Sequence, residues 1–169
     1  KYAPKVKKVI ERNKVIYKRL ADHIGLFPMI MITPDDTLLI TEGSENRRQF
    51  IDVLLVQLDV NYLNHLMTYN KVLQQRNAFL KSFKHPLEVN FELLEIYNQQ
   101  LLKPANYIHQ ERQQIIAKLK PIFQNYYKVI SGDKEAVDLT YVSQLSEQKL
   151  EDLLAQSQEK DTWLQRTTK

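Results

Sequence analysis

Residues 34–81 read PDDTLLITEGSENRRQFIDVLLVQLDVNYLNHLMTYNKVLQQRNAFLK, and this stretch decides the fold class. A proline turn with two acids leads to a break at Gly43 and an arginine pair, Arg47 and Arg48. Apolar residues then recur at helical spacing: Phe50, Ile51, Leu54, Leu55 and Leu58, followed by Tyr62, Leu63, Leu66, Met67, Leu73 and Leu80. Recurrence at three and four is the mark of an amphipathic helix. Asp59, ahead of Val60 and Asn61, breaks the run and is placed to cap its second half. That half reaches ~35 Å at 1.5 Å per residue.

Lys84, His85 and Pro86 form a turn, after which a second helical region spans 91–130. Leu94, Tyr97, Leu101, Leu102, Ile108, Ile115, Ile116, Leu119, Phe123 and Tyr127 set its period. Pro104 and Pro121 fall inside it and are expected to kink or split it, because each removes a backbone donor. Gly132 ends it. Two long helical regions joined by a short turn pack antiparallel as a hairpin. Residues 137–142 alternate apolar and polar, the pattern of a half-buried strand. A last helix begins at Ser146, with Leu150, Leu153, Leu154 and Trp163 on its apolar face.

Before residue 34, residues 6–18 read as two short strands joined through Arg12-Asn13 or Asn13-Lys14, since Asn tolerates positive φ. A short helix over 19–24 ends at Gly25. Residues 29–32, Met-Ile-Met-Ile, form an unbroken apolar run. Such a run suits a strand buried on both faces in the middle of a sheet, and so points to a larger parent. Asp35 or Asp36 caps a short helix over 37–41, and Ser44 caps the next. The fold class is α+β, mainly α: a long antiparallel helical hairpin, or arm, on a small strand-containing base. The expected divisions are a base at 1–43, the arm at 44–132, and a return strand with a C-terminal helix at 133–169.

The composition narrows the function classes. The absence of cysteine excludes disulfides and thiolate metal sites. His23, His65, His85 and His109 are scattered without an HExxH pair, so no zinc site of that kind is expected. No apolar run approaches the ~20 residues that span a bilayer, and no signal-peptide pattern opens the chain. The first residue is Lys, so the chain reads as a piece of something longer with a cytoplasmic address. Residues 1–19 hold eight Lys or Arg, Lys7 and Lys8 among them, against the single acid Glu11. A basic stripe of this kind is a phosphate-binding feature or the solvated face of a hairpin, and charge alone leaves both readings open.

Three residue groups carry candidate chemistry. Arg47 and Arg48 lie in the first turn of a helix, where the dipole repels cations. They serve either contact with phosphate or an acidic partner, or pairing with Glu42, Glu45 or Asp52. Gln74, Gln75, Arg76 and Asn77 cover every face of their helix, so at least one points at the opposing helix. The alternatives are a polar pin fixing helix register or contact with the DNA backbone. The three glycines are isolated and no G-x-x-x-x-G-K-[ST] occurs, so no phosphate cradle and no ATP turnover are expected of this chain.

These residues resemble the RecF family. The likeness runs through Arg19-Leu20, Pro34-Asp35-Asp36, Gly43, Arg47-Arg48, Phe50, Asp52, Tyr62-Leu63, Gln75-Arg76-Asn77 and Leu80-Lys81, then more weakly through 141–145 and 161–167. The resemblance implies an insert of an ABC/SMC-like ATPase head whose Walker and signature motifs lie outside this chain. It implies a protein of DNA repair, recombination, replication and the SOS response. Such a protein binds duplex DNA at single-strand gaps, works with RecR and RecO to load RecA, dimerises on ATP and hydrolyses it weakly. It implies ATP and Mg as cofactors of the full-length family and none in this segment, and a bacterial, nucleoid-associated location. Carried onto this sequence, the DNA- or partner-binding set is Arg47, Arg48, Arg76, Lys81, Lys7 and Lys8. Thr33, Asp35 and Asp36 occupy about the place of a Q-loop, although the glutamine is absent. The rival reading is a helical-hairpin adaptor that binds a protein partner and no DNA.

Overall fold

Asn13 and Lys14 both adopt positive φ, 52° and 67°, as the two central residues of a tight hairpin turn do. In the computed structural model, which describes residues 9–168, this turn joins β1 (Glu11–Arg12) to β2 (Val15–Ile16). The strands are antiparallel, with Arg12 opposite Val15 and Glu11 opposite Ile16. The start of the expected strand, from residue 6, lies outside the described residues, as do Lys7 and Lys8.

The chain divides into two compact units, Lys1–Leu63 and Asn64–Lys169. In the first unit a 3-10 turn at Leu20–His23 leads to Gly25. Gly25 has φ +85° and lies so close to Gln57 that an added Cβ would stand 2.7 Å from its carbonyl oxygen. A further 3-10 turn, Pro34–Thr37, runs into α1 (Leu38–Thr41), and α2 spans Ser44–Leu58. Ser44 does not cap α2, contrary to expectation. Gly43 takes the cap position, and Ser44 is the first helical residue.

Residues 29–32 form no strand: the sheet among the described residues is β1–β2 alone. Ile30 and Ile32 are 80% and 87% exposed within this chain. Only the start of the run is tied down, where the Met29 amide donates to Gln57 Oε1 at 2.8 Å.

Helix α3 (Val60–Lys81) starts in the first unit and continues into the second. Asp59 caps it as its sequence position implies, with its carboxylate accepting from the amides of Asn61 and Tyr62. A turn containing Pro86–Glu88 leads to α4 (Phe91–Ser131), which Asn90 caps by accepting from the Leu93 amide. In the second unit Phe79 lies beside Tyr97, Arg76 bonds Asn98, and His65 stacks on Tyr107. Falling numbers on α3 against rising numbers on α4 define an antiparallel hairpin. Leu80, Val89 and Leu94 fill the turn end of its core.

With 41 residues α4 is about 60 Å long, close to twice α3. Of the expected kink or split at its prolines, the split does not occur: one helix runs through both. Pro104 is buried, so its ring packs where a bond is lost, and Pro121 is exposed, where water reaches the freed carbonyl. Gly132 closes the helix in the left-handed conformation. The chain then returns along α4: Gln124 donates to the Val137 carbonyl, Lys120 pairs with Asp138, and Tyr141 lies against His109. Alternation over 137–142 is reproduced in burial, but the segment lies on a helix instead of joining a sheet. Helix α5 (Leu150–Leu164) buries Leu154, Asp161 and Thr162. Trp163, expected on that face, is exposed, because it sits half a turn away from Leu154.

Candidate functional site

Val72, Arg76 and Leu80 recur at intervals of four, so all three lie on one face of α3, and all three are buried. Arg76 thus occupies a core position with no solvent exposure, while Gln74 and Gln75 beside it face out. Burying a guanidinium requires a counter-charge and acceptors. Its Nη1 donates to Asp161 Oδ2 at 2.8 Å and to Thr167 Oγ1 at 2.7 Å, and its Nε donates to Asn98 Oδ1 at 2.9 Å. Asp161 is likewise fully buried, and its Oδ1 accepts from the amide and hydroxyl of Thr168. Asn77 Oδ1 accepts from the amide and hydroxyl of Thr167, both at 2.8 Å.

One side chain of α3 is therefore bonded to α4, to α5 and to the segment after α5. Asn98 and Gln99 also donate to Glu95. The Gln99 bond, then the Asn98 bond, hold its carboxyl below the usual carboxylate range against the opposing effect of burial, with a smaller contribution from the Arg76 charge. The contact role expected for Arg76 is corrected here: its charge is spent inside the protein, and no face of it reaches solvent. The polar-pin alternative describes what the side chain does.

In the first unit, Arg47 reaches back and donates through Nη1 to the carbonyls of Leu39 and Glu42, at 3.0 and 2.9 Å. These oxygens close α1, so the arginine ties α1 to α2 and fills acceptors that a helix end leaves open. Arg48 donates to Ser44 Oγ at 2.7 Å. These bonds run to carbonyls and a hydroxyl, so they leave the two positive charges uncompensated; Arg47 is exposed and Arg48 half-buried. At the acidic turn, Asp36 Oδ2 accepts from the Thr33 amide at 2.8 Å, which holds the turn shut. Asp35 is exposed. Lys81 is exposed in the last turn of α3, where a cation complements the helix dipole.

Arg47, Arg48, Thr33, Asp35 and Asp36 thus belong to the first unit, and Arg76 and Lys81 to the second, one inside and one outside. The partners Asp161, Asn98 and Thr167 carry no sequence signal of their own. Only the demand that a buried guanidinium be satisfied points to them. Among the described residues no three His, Asp or Glu side chains gather as metal ligands. No helix there is long and apolar enough to cross a membrane.

No family model matches the chain. Individual proteins do. The DNA replication and repair protein RecF of Flavobacterium johnsoniae is 41% identical over 162 residues, which is 96% of this chain and 45% of that protein. The RecF of Bacteroides fragilis is 42% identical over 155 residues, 92% of this chain and 41% of that protein. The chain is homologous to RecF. It spans less than half the length of the RecF proteins it matches. A structure of the recombination mediator protein RecF with ATP, in the RecFOR pathway, superposes with a TM-score of 0.82 at 28% identity, over 96% of this chain and 45% of that one. A second, RecF-ATPrS, gives 0.87 at 27% identity, over 99% and 47%. The helical hairpin therefore belongs to a fold that RecF shares.

Proposed function

We propose that this chain is the arm-bearing central part of a DNA replication and repair protein of the RecF kind. The identity to RecF over 96% of the chain carries the reading. In it, the chain is an insert of an ABC/SMC-like ATPase, and the whole protein binds duplex DNA at gaps, dimerises on ATP and acts with RecR and RecO on RecA loading. Nucleotide and Mg belong to the remainder of such a protein. The glycines here, Gly25, Gly43 and Gly132, are isolated and build no phosphate cradle, and Asp36 is occupied by the Thr33 amide. Exposed residues 29–32 fit the same reading as a strand whose sheet is completed by the rest of the protein.

Arg47, Arg48 and Lys81 supply the phosphate contacts in this proposal; Lys7 and Lys8 lie outside the described residues. Arg47 is held by backbone carbonyls with its charge open to an anion, which is preorganisation for phosphate. The experiment is a salt series of gapped-duplex binding, read by fluorescence anisotropy, with a RecF-length protein carrying this sequence. Affinity is expected to fall steeply with salt. Arg47→Ala with Arg48→Ala is expected to weaken binding about tenfold and to reduce the salt slope by roughly two, one for each lost contact. Binding indifferent to salt and to both substitutions would leave the protein-adaptor reading standing.

A further inference from the structure

Gly132 turns the chain back at the end of α4, and residues 133–142 then run along that helix without regular structure of their own. Between 133 and 149 only Gln144–Ser146 forms a helical turn, and no residue there is buried. Residues 133–142 hold three acids, Asp133, Glu135 and Asp138, against one cation, Lys134. Each acid lies on a donor of α4. Asp133 pairs with Lys128 at 3.2 Å, and Glu135 accepts from the Tyr127 hydroxyl at 2.6 Å. Asp138 pairs with Lys120 at 2.7 Å and accepts from Gln124 Nε2 at 3.2 Å. Lys120, Gln124, Tyr127 and Lys128 follow helical spacing, so they form a row along one face of the helix. The row is about 12 Å long, roughly the rise of three to four phosphates along one strand of a duplex.

We propose that this row is a phosphate-binding face for duplex DNA, and that residues 133–142 are an acidic strap that occupies it until a phosphate backbone displaces them. The inference rests on the DNA-binding reading above and adds to it a regulator and a second set of contacts. Lys, Gln and Tyr side chains are among those that hold phosphate oxygens on a duplex, and the strap presents them with carboxylate oxygens in the same role. Its grip is weak. Lys120 and Asp138 are 42% and 52% exposed, and Lys128 and Asp133 are 63% and 71% exposed. Ion pairs this exposed are screened by salt and add little to stability. The apolar side of the strap is the half-buried Val137, Leu139 and Tyr141, the last with its ring against His109. Segments with so few buried contacts open while the rest of a domain stays folded. The core at the turn end of the hairpin, Leu80, Val89 and Leu94, uses none of these residues. Opening frees two lysine charges and withdraws three carboxylates that repel phosphate.

The experiment uses a RecF-length protein carrying this sequence. Asp133→Asn, Glu135→Gln and Asp138→Asn together neutralise the strap. Glu147→Gln, Glu151→Gln and Glu159→Gln, at exposed positions outside it, control for net charge. In fluorescence anisotropy the strap variant should bind gapped duplex at least fivefold tighter than the control, and adding Lys120→Gln with Lys128→Gln should abolish that gain. This chain has no cysteine, so Ala117→Cys with Ala136→Cys, both exposed, takes a pair of spin labels in a background with no other cysteine. Their distance should be single at low salt without DNA and gain a longer component when duplex is added. A strap variant that binds no tighter than the control overturns the inference, as does a label distance that duplex leaves unchanged. If wild type still binds duplex through Arg47 and Arg48, those results leave the DNA-binding reading intact. Failure of every one of these proteins to bind duplex removes both.

Discussion

Asp161→Ala removes the counter-ion of a guanidinium with no solvent exposure, whose partner oxygen stands 2.8 Å away. Breaking a buried pair from one side leaves a desolvated charge unbalanced and costs about 3–5 kcal/mol. That is a large part of the ~5–15 kcal/mol that holds an ordinary domain together. At roughly 2–4 °C per kcal/mol for a chain of this size, the melting temperature should fall by about 6–20 °C. Arg76→Met strands the Asp161 carboxylate instead. Its loss should be smaller, because the Thr168 amide and hydroxyl still donate to Oδ1. The double variant Arg76→Met with Asp161→Leu removes both charges and should be more stable than Asp161→Ala by about 3–5 kcal/mol, since an apolar pair of similar volume replaces an ion pair at little loss. Urea unfolding followed by far-ultraviolet circular dichroism, with Asp161→Leu added as the matching single variant so that the set closes a double-mutant cycle, measures this. Single variants within about 1 kcal/mol of wild type, or losses that simply add in the double variant, would refute the role given to the pair.

Two further expectations follow from the local geometry. Gly25→Ala should destabilise the first unit by about 1–3 kcal/mol, because the backbone there is left-handed and the new methyl meets the Gln57 carbonyl; chemical denaturation measures it. His109 has its pKa lowered from 6.5, first by burial and then by the Arg112 charge, and its Nδ1 is buried without a hydrogen-bond partner. The unfolded chain therefore takes up the proton first as pH falls through 6.5, and the folded protein loses stability down to the folded-state pKa, below which the penalty is constant. His109→Phe, which keeps a ring against Tyr141, should flatten that pH dependence between pH 7 and the range where carboxylates titrate.

Local backbone chemistry was legible in the sequence. Asn13 at positive φ, Asp59 at a helix start and Gly132 at a helix end each respond to forces within a few residues, so the sequence alone places them. The helical hairpin was legible too, because its apolar period persists for dozens of residues. Errors arose where the deciding contact is distant. Residues 137–142 have the period of a strand, yet their cover is α4, and no local signal separates a sheet from a helix as the surface beneath. Trp163 belongs to an apolar pattern that the helix does not bury, because the buried face is set by Asp161 meeting Arg76. For the candidate site, the need of Arg76 for partners could be read but not their identity. Arg47 was read as a choice between carboxylates and phosphate, whereas two backbone carbonyls hold it, and backbone atoms leave no trace in residue type.

The ion pair also dictates an order of events during synthesis. Arg76 and Asp161 are 85 residues apart in the chain. At about 5–20 residues per second, the arginine leaves the ribosome roughly 4–17 s before its carboxylate does. For the last 30 residues of that interval, about 1.5–6 s, α3 and α4 are both complete, yet the groove between them holds an unneutralised cation and cannot close dry. The hairpin is therefore expected to close dry only when α5 arrives and sets Asp161 against Arg76.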